Sequence, residues 1–372
     1  MVIVCIVVTK DEWITKNKDS KHLRNFALCV WRRDVPYNWG FILVPLSYET
    51  IDLNQLIDKA VAEKKINKLS VEKVPNERVM TLFSYTMKQK IRPSSVFLPV
   101  ILHKENKELI ASVSVSDLNL MWSGLTKDVG GVTTAIHHLD REKYLLQGFL
   151  LRDILVNGMN ESEALIKHYT SRYPMAGFTL TIGNEAKKIV VDHLLGKSYI
   201  TTTEKNVPPI WSFLKIFFKR EFEYNEVMVR SNFSPVLGYW DLKWDPSKDN
   251  GTRKFKFVTR LARYLRAFEL FSNQSLSLKK VLRFMSDHKF YPEIERELAN
   301  VWKFVRASEE KKALEMLREV KEEMCEFSVC KHSPQKIDTR TVHNVTINLE
   351  KREFFYVYDN PCKHKLLVKY VI

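Results

Sequence analysis

Met1-Val2-Ile3-Val4-Cys5-Ile6-Val7-Val8-Thr9-Lys10 opens the chain. β-Branched apolar residues dominate this stretch, and such a run favours a buried strand. One thiol stands in its middle, at Cys5. Two readings of that residue are open. A buried free cysteine ordinarily behaves as a small core hydrophobe. Cleavage before Cys5, however, leaves one residue with both a thiol and a free α-amine. The amine titrates near pH ~7.7–8 and the thiol near ~8.5, so a single residue then supplies nucleophile and general base together.

The 372 residues suit one large domain or two of ordinary size. Apolar residues make up 45%, enough for a sizeable core and too many for a disordered chain. No run approaches the ~18 apolar residues of a membrane span. The opening run is too short for a secretory signal and lacks its basic flank and small-residue cleavage site, which predicts a cytoplasmic protein. The cysteines are Cys5, Cys29, Cys325, Cys330 and Cys362. An odd number at wide spacing argues against a disulfide framework. Without a CxxC pair, no structural zinc site is expected. Lys and Arg exceed Asp and Glu by 59 − 44 = 15. Such a balance favours nucleic acid, anionic surfaces or acidic ligands. Here the charge is spread along the chain without a recognition motif, so nucleic acid is not the expected partner.

Taken in order, the chain predicts strands at 24–31 and 41–45, around a turn with Pro36 and Asn38. Arg24, Arg32 and Arg33 are candidates for gripping an anionic group, since guanidinium binds carboxylate bidentately. Leu53, Leu56, Ile57 and Val61 recur at helical spacing over 52–64. Strands are expected at about 96–103 and 108–114, then a turn opened by Ser123-Gly124-Leu125. Gly130-Gly131 precedes a strand, Val132 to Ile136, that ends at His137-His138. Paired histidines at a strand end are candidate ligands, but no Asp or Glu sits at metal-ligand spacing on a helix, so no metal and no cofactor is expected. Helix signals cover 145–170, with capping residues at Asn160-Glu161-Ser162-Glu163. Segments 178–182 and 188–192 read as a hairpin around Gly183-Asn184. A basic, aromatic helix is expected at about 209–221, and a strand at 227–230 that runs into Ser231-Asn232-Phe233-Ser234-Pro235. Helices at 255–272, with Arg260, Arg263 and Arg266, and at about 275–286 precede a long charged helix or helix pair over 293–327. The tail predicts strands at 341–349, 353–358 and 366–372. Strands arrive as hairpins rather than βαβ units, which points to a layered α+β domain with antiparallel sheets. There is no Gly-rich phosphate loop and no internal repeat.

Several of these stretches, in this order, resemble the isopenicillin N acyltransferase family of N-terminal nucleophile hydrolases, and more distantly the choloylglycine hydrolases. Val4-Cys5-Ile6 resembles the nucleophile strand, and Leu23-Arg24-Asn25-Phe26 the Arg-Asn-aromatic motif. Ser123-Gly124-Leu125 with Gly131-Val132-Thr133-Thr134 is similar to the family's Gly-Leu-Asn turn and strand. Arg152-Asp153-Ile154-Leu155 with Glu161 to Leu165 resembles its Arg-x-x-Leu helix. Ser231-Asn232-Phe233 resembles the Thr-Asn-His segment, and Arg260-Leu261-Ala262-Arg263-Tyr264 an Arg-bearing helix. Ser286-Asp287-His288 with Tyr291-Pro292, Ser328-Val329-Cys330-Lys331-His332, and Asn360-Pro361-Cys362 resemble three late signatures.

The resemblance implies a four-layer αββα sandwich forming a single domain over 1–372, with 293–327 as a helical insertion. It implies a cysteine amidohydrolase or acyltransferase acting on a small-molecule amide or acyl-thioester through an acyl-Cys5 intermediate, after removal of residues 1–4. Cys5 is then the nucleophile and its α-amine the base. Arg24 lies near the thiolate, Asn232 donates to the tetrahedral oxyanion, and Arg263 is a further charged site residue. No cofactor, metal or membrane span is implied, and self-association is left open. The chain departs from the family pattern at Ala27, where Asp is usual, and at His137, where an Asn donor is expected as oxyanion or substrate contact. It also has Phe233 in place of His, and Val4 in place of the frequent Gly. The alternative is therefore an inactive binding or structural protein on the same scaffold.

Overall fold

The structure is a computed structural model. It describes residues 5–20, 26–31, 38–45, 50–63, 67–68, 95–103, 109–114, 121–136, 147–175, 177–194, 196–202, 227–232, 260, 263–264, 266–272, 274–288, 328–330, 340–358, 360–363 and 367–372. The segments 209–221 and 293–327, both expected to be helical, lie outside the described residues, as do Met1 to Val4.

The opening run forms β1 (Cys5–Lys10), which turns back into β2 (Trp13–Ser20). Asp11 makes the turn at φ 49°, a left-handed conformation that Asp tolerates better than most residues. In the antiparallel register Cys5 faces Lys18, Ile6 faces Asn17, Val7 faces Lys16 and Thr9 faces Ile14. Side chains alternate across a strand, so Cys5, Val7, Lys18, Lys16 and Ile14 share one face. Val7 and Ile14 lie in the main apolar cluster. That makes the Cys5 face the inner one.

This hairpin belongs to a seven-stranded sheet. Its order is β14 (Met228–Arg230), β1, β2, β15 (Arg340–Asn348), β16 (Glu353–Tyr358), β17 (Leu367–Val371) and β5 (Thr50–Asp52). A second sheet has ten strands. Its order is β13 (Lys197–Thr202), β12 (Lys188–Leu194), β11 (Phe178–Gly183), β10 (Gly130–Ala135), β9 (Met121–Leu125), β8 (Leu109–Ser114), β3 (Phe26–Trp31), β7 (Ser95–His103), β4 (Asn38–Pro45) and β6 (Asn67–Lys68).

Period-two alternation sorts the side chains of both sheets between faces. Leu28 and Val30 join Val7, Ile14, Val132, Val345, Ile347 and Tyr356 in one cluster. Cys29 and Trp31, their neighbours on β3, join a different cluster with Phe178, Leu180 and Val191. That second cluster is covered by α2 (Gln147–Asn157), through Leu150, Leu151, Ile154 and Leu155, and by α3 (Ser162–Arg172), through Ile166. Gly158 separates these helices at φ 92°, where a residue with a Cβ is strained. α1 (Leu53–Ala62) starts where the Asp52 carboxylate caps the amides of Asn54 and Gln55, and it adds Leu53, Ile57 and Ala60 to the first cluster.

The other face of the seven-stranded sheet meets helices too. α4 (Leu278–Met285), capped by Ser277, buries Val281, Leu282, Phe284 and Met285. Phe284 packs edge-on against Phe271, of the helical residues 266–271, with ring centroids 5.2 Å apart. The Lys10 ammonium donates to the carbonyls of Phe271 (2.9 Å) and Gln274 (2.6 Å), and Asn17 Nδ2 to that of Met285 (2.7 Å).

Three expectations are corrected. β3 and β4 do not pair around a turn; β7 lies between them, parallel to β3 and antiparallel to β4. β5 and β17 are also parallel, so the sheets are mixed rather than wholly antiparallel. Ser123-Gly124-Leu125 is the end of β9, and the turn follows it, where the Thr126 amide donates to the Val129 carbonyl (2.9 Å). The 178–192 hairpin stands as expected, with Asn184 Oδ1 accepting from the amides of Ala186 and Lys187 in its turn.

Candidate functional site around Cys5

Register brings four side chains into a row across the inner face. Cys5 pairs with Lys18, Lys18 with His343, and His343 with Tyr358. Directly opposed residues on adjacent strands have Cβ atoms about 4.5–5.5 Å apart, so the members of the row are neighbours. Cys5 and Lys18 are wholly buried and His343 nearly so. Trp122, from β9 of the opposite sheet, stands against the lysines of β2. The Lys18 Nζ stands 4.0 Å from its ring centroid and the Lys16 Nζ 5.6 Å. Lys16 also donates to the carbonyls of Trp122 (3.0 Å) and Thr133 (2.5 Å). Two buried ammonium groups thus hold positive charge between the sheets. Burial pushes the His343 imidazole well below the ordinary histidine range, and the charges of Lys16 and Lys18 push it further, so its neutral form prevails.

Asn232 meets the other side of Cys5. It follows β14 at φ 59°, a left-handed turn that Asn accepts more readily than other residues with a Cβ. Its Oδ1 accepts the Cys5 backbone N–H. Its Nδ2 donates to Thr134 Oγ1 (3.0 Å) and to the Ala135 carbonyl. The amide orientation follows from these partners: Cys5 N–H can only donate and the Ala135 carbonyl can only accept. Both amide hydrogens of Asn232 are therefore engaged, and its oxygen points at the Cys5 nitrogen.

Arg263 lies behind the same sheet, on its outer face. It is buried, and its guanidinium donates to the Val329 carbonyl (3.1 Å). Asn17 Nδ2 donates to that same carbonyl (3.0 Å), and Asn17 is the register partner of Ile6. Arg263 thus lies one shared carbonyl from the strand pair that carries Cys5. Arg24, His137 and His138 lie outside the described residues. Ala27 is on β3, opposite Val113 of β8.

Lys16, Lys18 and His343 were not singled out from the sequence. A signal for two of them exists. Ile14, Lys16 and Lys18 share parity along a strand, so the face that buries Ile14 also carries both lysines. His343 has no local signal, because only the β2–β15 register sets it beside Lys18.

No family model matches this chain, and no curated protein does. Among solved structures, a conjugated bile acid hydrolase from Clostridium perfringens is similar at 12% identity and TM-score 0.35, with 95% of this chain and 89% of that one covered. A penicillin V acylase from Agrobacterium tumefaciens is similar at 10% identity and TM-score 0.32, with 95% and 82% covered. Similarity at this level assigns neither a family nor an activity.

Proposed function

We propose that the protein is a cysteine amidohydrolase or acyltransferase of the N-terminal nucleophile type, on a four-layer αββα sandwich, active once residues 1–4 are removed. The observation that carries this reading is the Asn232 amide: its oxygen accepts from the Cys5 nitrogen while its own hydrogens are bound elsewhere. An amide nitrogen at Cys5 has a delocalised lone pair and is no base. After cleavage the same nitrogen is an amine. Asn232 Oδ1 then accepts one N–H and turns the lone pair toward the thiol. The amine takes the thiol proton as sulfur adds to the substrate carbonyl carbon. Collapse of the tetrahedral adduct breaks the C–N or C–S bond, the α-ammonium returns its proton to the leaving group, and an acyl-Cys5 thioester remains. Water or an amine then takes the acyl group. The buried charges of Lys16 and Lys18 favour the anionic adduct.

In this proposal Asn232 acts as a positioning residue for the amine, a role its engaged amide hydrogens support, rather than as the oxyanion donor that the resemblance implies. Cys5 remains the nucleophile. Arg24, Arg263 and His137 remain the other candidate site residues, and a small-molecule amide or acyl-thioester remains the substrate class. The α2–α3 pair on one sheet and α4 on the other support the four-layer reading. The helical insertion at 293–327 is part of the proposal.

A second reading, an inactive binding protein on the same scaffold, is favoured by Ala27, which supplies no carboxylate. Intact mass spectrometry of wild type and Cys5→Ala separates the two. The active reading expects a wild-type chain starting at Cys5 and a Cys5→Ala chain that keeps Met1 to Val4. A wild-type chain that keeps them, and forms no acyl adduct with any amide or thioester offered, leaves the inactive reading.

A further inference from the structure

His288, Cys330 and Cys362 come from three separate parts of the chain: just beyond α4, the segment 328–330, and the short 3₁₀ turn Pro361–Lys363. Their imidazole nitrogen and two sulfurs all lie within 4.8 Å of one another. Neither sulfur is in a disulfide. Asn360 Oδ1 accepts from both thiols, 2.6 Å from the Cys330 sulfur and 2.9 Å from that of Cys362. A carbonyl-type oxygen therefore already sits against both sulfurs.

We infer that His288, Cys330 and Cys362 bind a zinc-class transition-metal ion, with Asn360 Oδ1 or a water in the fourth position. The chemistry of the set selects the ion. Two thiolates and an imidazole suit zinc and its neighbours, and the absence of carboxylates from the trio removes the donors that calcium and magnesium require. Zinc–sulfur bonds of ~2.3 Å and zinc–nitrogen bonds of ~2.0–2.1 Å place tetrahedral ligand atoms about 3.5–3.8 Å apart, so from within 4.8 Å the trio closes by at most about 1.3 Å. Burial is graded: Cys330 is buried, Cys362 half-buried and His288 exposed, which leaves a route in from solvent past the imidazole.

The backbones are held in advance. The Cys330 amide donates to the Asp287 carbonyl (3.0 Å), and Ser328 Oγ donates to that of Cys330 (2.6 Å). Arg266 grips the Asp287 carboxylate with two bonds of 2.9 and 3.0 Å, next to His288. On binding, two sulfur–metal bonds replace two S–H bonds, and both protons pass to solvent. Asn360 Oδ1, relieved of both thiol donors and keeping the Cys362 backbone N–H (3.3 Å), then offers a lone pair to the ion. The ion cross-links three segments, two of which carry the Met285 and Val329 carbonyls that Asn17 holds. It therefore stabilises the support behind β2 without entering the chemistry of Cys5.

The test uses the reduced, full-length protein and cobalt(II) as probe, with zinc as competitor. About one equivalent should bind per chain, with a thiolate-to-cobalt charge-transfer band and the visible spectrum of a tetrahedral ion, and zinc should bleach both. Affinity should fall as pH is lowered, since protons compete for the sulfurs. His288→Ala removes an exposed side chain and spares the core. It should weaken cobalt binding by more than the ~10–100-fold lost when only an outer hydrogen-bond partner of a ligand is removed. Cys5→Ala should bind as wild type does. The inference is overturned if reduced wild type takes up no cobalt or zinc, or if His288→Ala binds unchanged. It is equally overturned if Cys330 and Cys362 are found joined in a disulfide whose reduction restores no metal uptake.

Discussion

Asn232 combines a backbone role with a side-chain role, and two substitutions pull them apart. Asn232→Gly keeps the left-handed turn and loses the amide; Asn232→Ala loses both. Losing the acceptor for the buried Cys5 N–H costs about 1–3 kcal/mol in either variant. The left-handed turn adds roughly 1–2 kcal/mol for alanine alone. Urea unfolding should therefore rank wild type above Asn232→Gly above Asn232→Ala, and an equal loss in the two variants would show that φ 59° at this position carries no strain. His343 supplies a pH signature. Its folded-state affinity for protons is lowered below the unfolded value near ~6.5, so the neutral form stabilises the fold above that pH. That stability is lost as pH falls from about 6.5 toward the folded value. Lys18→Met removes one of the two cationic causes and should raise the His343 titration point, followed by the imidazole NMR signals. It should stay below the ordinary range, because burial is the first cause. No movement in Lys18→Met would mean that the ammonium and the imidazole do not interact across the row.

At the scale of elements, β10 shows how tightly the ten-stranded sheet meets its helices. A Cβ on Gly131 would stand 2.8 Å from Ile182 Cγ2, 2.9 Å from Leu151 Cδ1 and 3.2 Å from the Thr181 carbonyl. Two of these are branched core side chains and one is backbone, so the neighbours cannot swing away. Gly131→Ala should cost about 1–3 kcal/mol through overpacking, and Gly131→Val more. Gly196, at φ 77° with open space around it, is the control for backbone strain without crowding. Thermal unfolding of both alanine variants distinguishes the two effects, and a Gly131→Ala melting point equal to wild type would place α2 farther from β10 than described.

At the scale of the molecule, a buried ion pair between Arg230 and Asp192 ties the two sheets together. Arg230 of β14 donates from Nε and from one terminal nitrogen to the Asp192 carboxylate of β12, at 2.8–3.0 Å, and Thr179 Oγ1 adds a bond of 2.7 Å. Both side chains are nearly inaccessible, at 4% and 0%. Breaking such a pair from one side leaves an uncompensated buried charge. Asp192→Ala should therefore lose about 3–5 kcal/mol, whereas Arg230→Met with Asp192→Leu, which removes both charges, should recover most of it. If the double variant is no more stable than the single one, the pair acts through more than its charges. β14 also leads directly into Asn232, so loosening the pair should lower any turnover at Cys5 along with stability.

Much of the architecture was legible in local pattern. The β-branched opening run reads as a strand, Leu53 and Ile57 mark the buried face of a helix, and Gly183-Asn184 marks a hairpin, because each signal lies within a few residues of what it specifies. The motif order singled out Cys5, Asn232 and Arg263 as candidate site residues. What it left out was pairing between distant segments. β7 separates β3 from β4, the Cys5–Lys18–His343 row depends on the β2–β15 register, and Asn232 turned out to have its donors engaged by Thr134 and Ala135. Spacing rules likewise passed over His288, Cys330 and Cys362, which no CxxC pattern joins. Strand identity and helix faces are written in periodicities of two and 3.6 residues, and the chain alone determines them. Which strand lies beside which, and whose polar atoms then share one buried space, follows from packing the whole chain, and only the tertiary structure decides it.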